Sequence, residues 1–158
     1  MDSFIIREAQ ISDLKDVQRL SQDLIEFEDE IIKEDYLVSL DWALNQDGYN
    51  NYKKNIENDY LYVACKENDI IGYMTCWINK KNPWDKYDTL EIGNLYIRKE
   101  YRNLGIGKRF IEIAKKICKE KNIKYLELKD LSENKSAREF YKKMKFSEYI
   151  ITEYIKIK

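Results

Sequence analysis

The stretch Leu95-Tyr96-Ile97-Arg98-Lys99-Glu100-Tyr101-Arg102-Asn103-Leu104-Gly105-Ile106-Gly107-Lys108 runs from an apolar strand through a short turn into a helix. Beyond the turn, Ile106, Phe110, Ile113, Ala114 and Ile117 recur at helical spacing with lysines on the other side, so an amphipathic helix opens at the glycines. Backbone N–H groups at a helix N-terminus lack intrahelical acceptors, and with the helix dipole they form an anion site. Gly105 and Gly107 let phosphate oxygens approach the backbone, while Arg102 and Lys108 add positive charge. A P-loop needs GxxxxGK followed by Ser or Thr, which is absent. A dinucleotide fingerprint needs a third glycine, where this chain has Phe110. Taken alone, such a GxG turn is more often a plain strand-to-helix connection than a phosphate site.

Upstream, residues 4–7 form a short opening strand, and Ser12 is the expected N-cap of a helix with Leu14, Val17, Leu20, Leu24 and Phe27 on one stripe. Residues 26–58 are polar and acidic, with one or two irregular helices expected. Residues 60–65 and 70–78 read as a hairpin about Asn68-Asp69. Residues 90–97 form the next strand, in which Gly93 marks a bulge. Downstream come a strand at residues 125–128, a helix at 134–145 and an alternating final strand at 146–157. The order β-α-(α)-β-β-β-α-β-α-β implies one α+β domain over residues 1–158. Its sheet is mixed and mostly antiparallel, with about six to seven strands and about four helices.

Two signatures at the right separation change the weight of the turn. Arg102 to Gly107 resembles the RxxGxG element of the GNAT N-acetyltransferase superfamily, with the apolar strand before it and the amphipathic helix after it. Asn134-Lys135-Ser136-Ala137-Arg138-Glu139-Phe140-Tyr141-Lys142-Lys143-Met144-Lys145-Phe146 resembles that family's N-x-x-A-x-x-F-Y-x-x-x-G-F element. The resemblance implies an acetyltransferase that uses acetyl-CoA as cosubstrate, without a metal. Leu95, Tyr96 and Ile97 would bond the pantetheine arm through their backbone. Asn103, Leu104, Gly105, Ile106, Gly107 and Lys108, behind Arg102, would hold the pyrophosphate. Asn134 would contact the cofactor arm, and Tyr141 would reach the thioester sulfur. Lys145 departs from the pattern, because the usual glycine ends the helix in a left-handed conformation that costs lysine about 1 kcal/mol.

Asn134 and Tyr141 lie two helical turns apart and share a face. Taken alone, Tyr141 reads as a core aromatic beside Phe140. The resemblance turns it into a cofactor-facing hydroxyl and the general acid for direct acyl transfer. The strand amide near Leu95 is the candidate oxyanion donor. A primary amine reaches the site protonated at neutral pH and needs a base. Glu91 is the first candidate, on a strand face counted to include Gly93, Leu95 and Ile97. An ordinary solvated carboxylate at the strand start, with a water chain as base, is the equal alternative.

Composition narrows the remaining classes. The 158 residues hold no histidine, which excludes Ser-His and Cys-His nucleophile pairs and most zinc sites. Cys65, Cys76 and Cys118 lack CxxC spacing and sit in apolar stretches, so all three are expected buried and reduced. No apolar run is long enough for a membrane helix, and the N-terminal residues lack a signal-peptide layout. A cytoplasmic location and no membrane partner are therefore expected. The balance of charge is −1 overall, which argues against nucleic acid. Residues 98–158 carry 18 Lys and Arg against 9 Asp and Glu, and residues 1–97 carry 10 against 20. A basic half suited to an anionic donor and an acidic half suited to a cationic acceptor would produce this split, as would two solvated faces. Asp23, Glu26, Glu28, Asp29, Glu30, Glu34, Asp35 and Asp41, opposed nearby by Lys33, would wall an acceptor site for a small cationic amine such as a polyamine or aminoglycoside. Tyr36, Trp42, Tyr49 and Tyr52 are expected to pack the core more than to line that site. A protein or peptide N-acetyltransferase is the alternative enzyme, and a non-catalytic acyl-CoA-binding module the alternative of another class. A homodimer through the final strand or a sheet edge is compatible with the pattern.

Overall fold

The computed structural model describes residues 4–32 and 40–155. One sheet runs β1 (Ile5–Glu8), β2 (Leu61–Lys66), β3 (Asp69–Asn79), β4 (Thr89–Ile97) and β5 (Tyr125–Leu128), in spatial order equal to chain order. The first three pairings are antiparallel and the β4–β5 pairing is parallel. The helices are α1 (Leu14–Ile31), α2 (Gln46–Glu57), α3 (Ile106–Glu120) and α4 (Lys135–Lys143).

Each face of the sheet carries its own core. On one face, α3 sets Ile106, Phe110, Ile111, Ala114 and Ile117 against Met74, Cys76, Leu90 and Ile92, with Phe140 and Tyr141 of α4 and the following Met144 at the margin. On the other, α1 and α2 bring Leu14, Val17, Leu20, Tyr52 and Ile56 against Leu61, Val63 and Tyr73. All three cysteines are free and buried. Burial pushes the Cys76 thiol up to about 12, which removes it from thiolate chemistry at neutral pH. No described helix is long and apolar enough to cross a membrane.

The architecture is the expected α+β arrangement, with two corrections. The sheet has five strands among the described residues, not six to seven. Residues 146–155 contain no strand, and Tyr149, Ile150, Ile151, Tyr154 and Ile155 are exposed. Their apolar residues fall on both parities, so the pattern specifies no inward face. Ser12 is not the helix cap either. Gln10 precedes a short 3-10 turn (Ile11–Asp13), and its amide donates to the Asp13 carboxylate at 2.7 Å. Asp13 also takes both guanidinium nitrogens of Arg7, at 2.6 and 3.0 Å, tying β1 to the start of α1. Tyr36, Lys33, Glu34 and Asp35 lie outside the described residues.

The chain has five glycines and ends three helices without one. Asp59, Asn122 and Lys145 all take positive φ, at 59°, 54° and 71°. Behind each, the next amide reaches back five residues: Tyr60 to Asn55, Ile123 to Cys118 and Phe146 to Tyr141. This is the Schellman closure, built here on L-residues.

Candidate active site

The site begins with a defect in β4. The register pairs Asn94 with Thr75 and Ile92 with Cys76, which leaves Gly93 as an extra residue. A Cβ at Gly93 would lie 1.9 Å from the Trp77 ring, so only glycine lets that ring cross the bulge. One extra residue inverts the alternation after it. Leu95 and Ile97 therefore join the same core as Leu90 and Ile92, while Tyr96 packs with the opposite one. The expectation that Glu91, Leu95 and Ile97 share a face is thus overturned by the bulge.

The bulge also ends the β4–β5 ladder. β5 pairs with Thr89 to Ile92 and no further. Past Ile92, Leu95, Tyr96 and Ile97 bond β3 on one side, and their other edge meets no strand among the described residues. An unpaired strand edge offers backbone donors and acceptors to an extended ligand. The Ile97 carbonyl is already in use, because Arg102 Nε donates to it at 3.0 Å.

The turn that follows is held by left-handed residues. Asn103 has φ 65° and Gly105 has φ 87°. Nothing lies within 4 Å of a Cβ built at Gly105, so glycine is required there by its dihedral and faces open space. The first intrahelical bond of α3 is Arg109 N–H to the Gly105 carbonyl, at 3.1 Å. The amides of Ile106, Gly107 and Lys108 precede it and have no intrahelical acceptor. Gly107 is small for a different reason, since its Cβ would sit 3.0 Å from the Phe140 ring. Arg102 is held on the α1 side of the turn. Its guanidinium stacks over Phe27 at 5.7 Å and Tyr96 at 5.8 Å, joining the turn to α1 and β4. Lys108 is exposed and only 4.0 Å from Glu112, a weak pairing that leaves its charge available near Leu104 and the turn.

Asn134 caps α4. Its Oδ1 accepts from the Ala137 amide at 3.2 Å and from the Ser136 hydroxyl at 3.3 Å. The side-chain amide nitrogen carries no such duty. Two turns on, Tyr141 is wedged between the Phe140 ring at 5.3 Å and the Phe146 ring at 5.8 Å. The second contact is the apolar clasp of the Schellman closure, so the left-handed Lys145 fixes the Tyr141 ring through Phe146. Burial, together with the charges of Asp130 and Glu28, pushes the Tyr141 hydroxyl up to about 12, and it stays protonated at neutral pH.

Glu91 is buried and fully engaged. Asn79 Nδ2 donates to one oxygen at 2.7 Å, and Lys129 Nζ sits 3.2 Å from the other. The same Asn79 bridges to Glu127 at 3.0 Å, which Thr89 binds at 2.6 Å. Asn79 stands opposite Thr89 across β3 and β4, and Glu91 opposite Glu127 across β4 and β5.

A second carboxylate was legible only as one of eight acidic residues. Glu28 stands two helical turns after Ser21, on the face of α1 that packs on the sheet. Partial burial raises its pKa, and no described residue forms an ion pair with it. Its charge acts on the hydroxyls of Tyr52, Tyr73 and Tyr141. Ser21 and Tyr52 hydrogen-bond each other. Tyr73 is fully buried beside them, and its hydroxyl, though close to both, makes no hydrogen bond of good geometry. The spacing Val17, Ser21, Leu24, Glu28 placed a carboxylate on an otherwise inward stripe, which was the available signal. Trp42 and Tyr52 meet edge to face at 5.9 Å as core packing, in line with expectation. Tyr49 is exposed.

Residues 21–146 match the model of the Acetyltransferase (GNAT) family. A Bacillus subtilis (strain 168) protein provisionally named as a ribosomal protein bS18 alanine N-acetyltransferase is 32% identical over 94 residues, covering 58% of each chain. The match spans 58% of that relative's length, and 41% and 58% of two archaeal uncharacterized N-acetyltransferases, from Methanocaldococcus jannaschii and Archaeoglobus fulgidus. The tetramutant of the BH1408 protein from Bacillus halodurans superposes with a TM-score of 0.82 at 22% identity, over 97% of this chain and 99% of that one. An aminoglycoside N-acetyltransferase, AAC(6')-Iy, solved in complex with CoA, superposes with a TM-score of 0.75 at 14% identity, over 98% and 95%. At these identities the two structures establish the fold.

Proposed function

Because the chain belongs to the acetyltransferase (GNAT) family, we propose that it moves an acetyl group from acetyl-CoA directly to a primary amine, and that the amine is a small cationic molecule. The observation that carries the donor assignment is the open edge of β4 past Ile92, running into the left-handed turn and the free amides of α3. An extended pantetheine arm fits beside Leu95, Tyr96 and Ile97. A pyrophosphate fits against the amides of residues 103–108, with Asn134 Nδ2 beside the arm. Tyr141, protonated and inside the apolar clasp, is the donor to the departing sulfur. No group of His, Cys, Asp and Glu suited to a metal occurs among the described residues, and the reading requires none.

The acceptor assignment rests on the acidic first half and on Glu28 within it. The name of the Bacillus subtilis relative supports a second reading, a peptide N-terminus as acceptor. Thiol release from acetyl-CoA, measured against polyamines, aminoglycosides and peptides with free N-termini, tests both. Turnover with the cationic small amines is expected. Turnover with peptides alone selects the second reading, and tight acetyl-CoA binding without turnover on any acceptor removes both in favour of a binding module.

A further inference from the structure

The reaction needs a base, and the two inward-facing carboxylates near the site differ in availability. Both oxygens of Glu91 are already engaged by Asn79 and Lys129. No described residue engages Glu28 in this way. It lies about 10 Å along α1 from Ser21 at 1.5 Å rise per residue. That places it beyond the Ser21–Tyr52 pair and next to Phe27, whose ring packs on Arg102 of the donor turn. Tyr52 of α2, Tyr73 of β3 and Tyr141 of α4 all lie within the reach of its charge. Burial holds those three hydroxyls protonated, so none of them adds charge, and no described cation pairs with the carboxylate. A buried hydroxyl left without a well-formed bond costs about 1–3 kcal/mol. The Tyr73 hydroxyl, buried on the same face, is in that state and would gain a partner from a polar group bound beside it.

We propose that Glu28 binds the acceptor's ammonium group and removes its proton, with the Tyr73 hydroxyl as a second contact, which selects a strongly basic primary alkylamine. This rests on the transferase reading above and names the base and acceptor class within it. The ammonium gives one proton to Glu28. Its nitrogen then adds to the thioester carbonyl carbon, forming the C–N bond. The C–S bond breaks as the sulfur takes the Tyr141 proton. The new amide nitrogen returns a proton to Tyr141, and Glu28 releases its own to solvent. One thioester and one ammonium thus give one amide, one thiol and one proton. Desolvation suits Glu28 to this work by bringing its pKa toward the working pH.

The test is Glu28→Gln assayed with acetyl-CoA and a series of primary amines of graded basicity. Calorimetric binding of acetyl-CoA should match the wild type, showing that the variant folds. With the most basic amine, kcat/KM should fall about a hundred- to ten-thousand-fold, the range for loss of a general base. The loss should shrink steadily toward weakly basic amines that arrive neutral. The acid limb of the pH–rate profile should vanish, and Tyr73→Phe should raise KM with little change in kcat. Asp16→Asn, a half-exposed charge near the start of the same helix, should change none of these. A loss that ignores amine basicity and leaves the pH profile intact overturns the assignment, as does an acid limb abolished by Glu91→Gln instead. A wild type that acetylates only peptides sinks the small-amine class, and the basicity series made on peptide N-termini then decides Glu28. No thiol release from the wild type with any acceptor overturns the transferase reading, and this inference with it.

Discussion

The proposed donor half of the site and the proposed acceptor half are built by different means. The donor half, from Gly93 to Lys108, is made of backbone: a bulge, an unpaired edge, two left-handed residues and three free amides. The acceptor half, on α1 and α2, is made of side chains carried at regular helical spacing: Ser21, Glu28 and Tyr52, facing Tyr73. Backbone conformations of the first kind admit few residue types, so they write fixed motifs into a sequence. Side chains on a regular helix have no dihedral requirement, and their identities vary with the ligand. This is why the donor is legible and the acceptor is not.

The comparison can be broken from either side. The largest effect is expected at Tyr141, where the two halves meet. Tyr141→Phe should lower kcat about a hundredfold or more, the usual scale for a proton donor, and leave acetyl-CoA affinity unchanged by calorimetry. Because the hydroxyl titrates only near 12, the wild-type rate should show no basic limb from this group below about pH 11. Next is Gly105→Val. A β-branched residue at φ 87° has ample space but the wrong dihedral. Strain of about 2 kcal/mol should weaken acetyl-CoA binding roughly thirtyfold and spare the amine KM. Weakened amine KM with intact donor binding contradicts the division into halves.

Gly93→Ala tests the bulge. Its methyl meets the Trp77 ring, and displacing that ring should cost about 1–3 kcal/mol in denaturant unfolding. The smallest effect is a gain. Lys145→Gly should relieve the left-handed strain and add about 1 kcal/mol, raising Tm by about 2–4 °C for a chain of this size. A destabilised Lys145→Gly would mean the lysine side chain holds something that the apolar clasp does not explain.

Much of the frame was present in the residues. Gly93 announced its bulge, the order of elements followed the alternation of periods, and the cysteines were buried as their apolar neighbours implied. The failures share a cause, which is that local patterns do not report on distant partners. Counting alternate residues across Gly93 put Glu91 beside Leu95, because a bulge alters parity without altering composition. Residues 146–155 had the composition of a strand but no consistent inward face. Ser12 looked like a cap, yet Asp13 is the residue that Arg7 of β1 secures. Glu28 needed the packing of α1 on the sheet before it could be told from its seven acidic companions.

The four-residue ladder between β4 and β5 has a consequence for assembly. β2 and β3 meet across a tight turn, whereas Thr89 must find Tyr125 with all of α3 between them. Contacts of such separation carry the larger loop-closure cost and tend to form late. The crotch where the donor arm would lie is therefore expected to close after the β2–β3 hairpin and to open before it. A ligand seated there binds the closed chain alone, and at a hundred times its dissociation constant it adds about 2.7 kcal/mol to folding. In a cell the supply of acetyl-CoA would then govern the lifetime of the protein as well as its turnover.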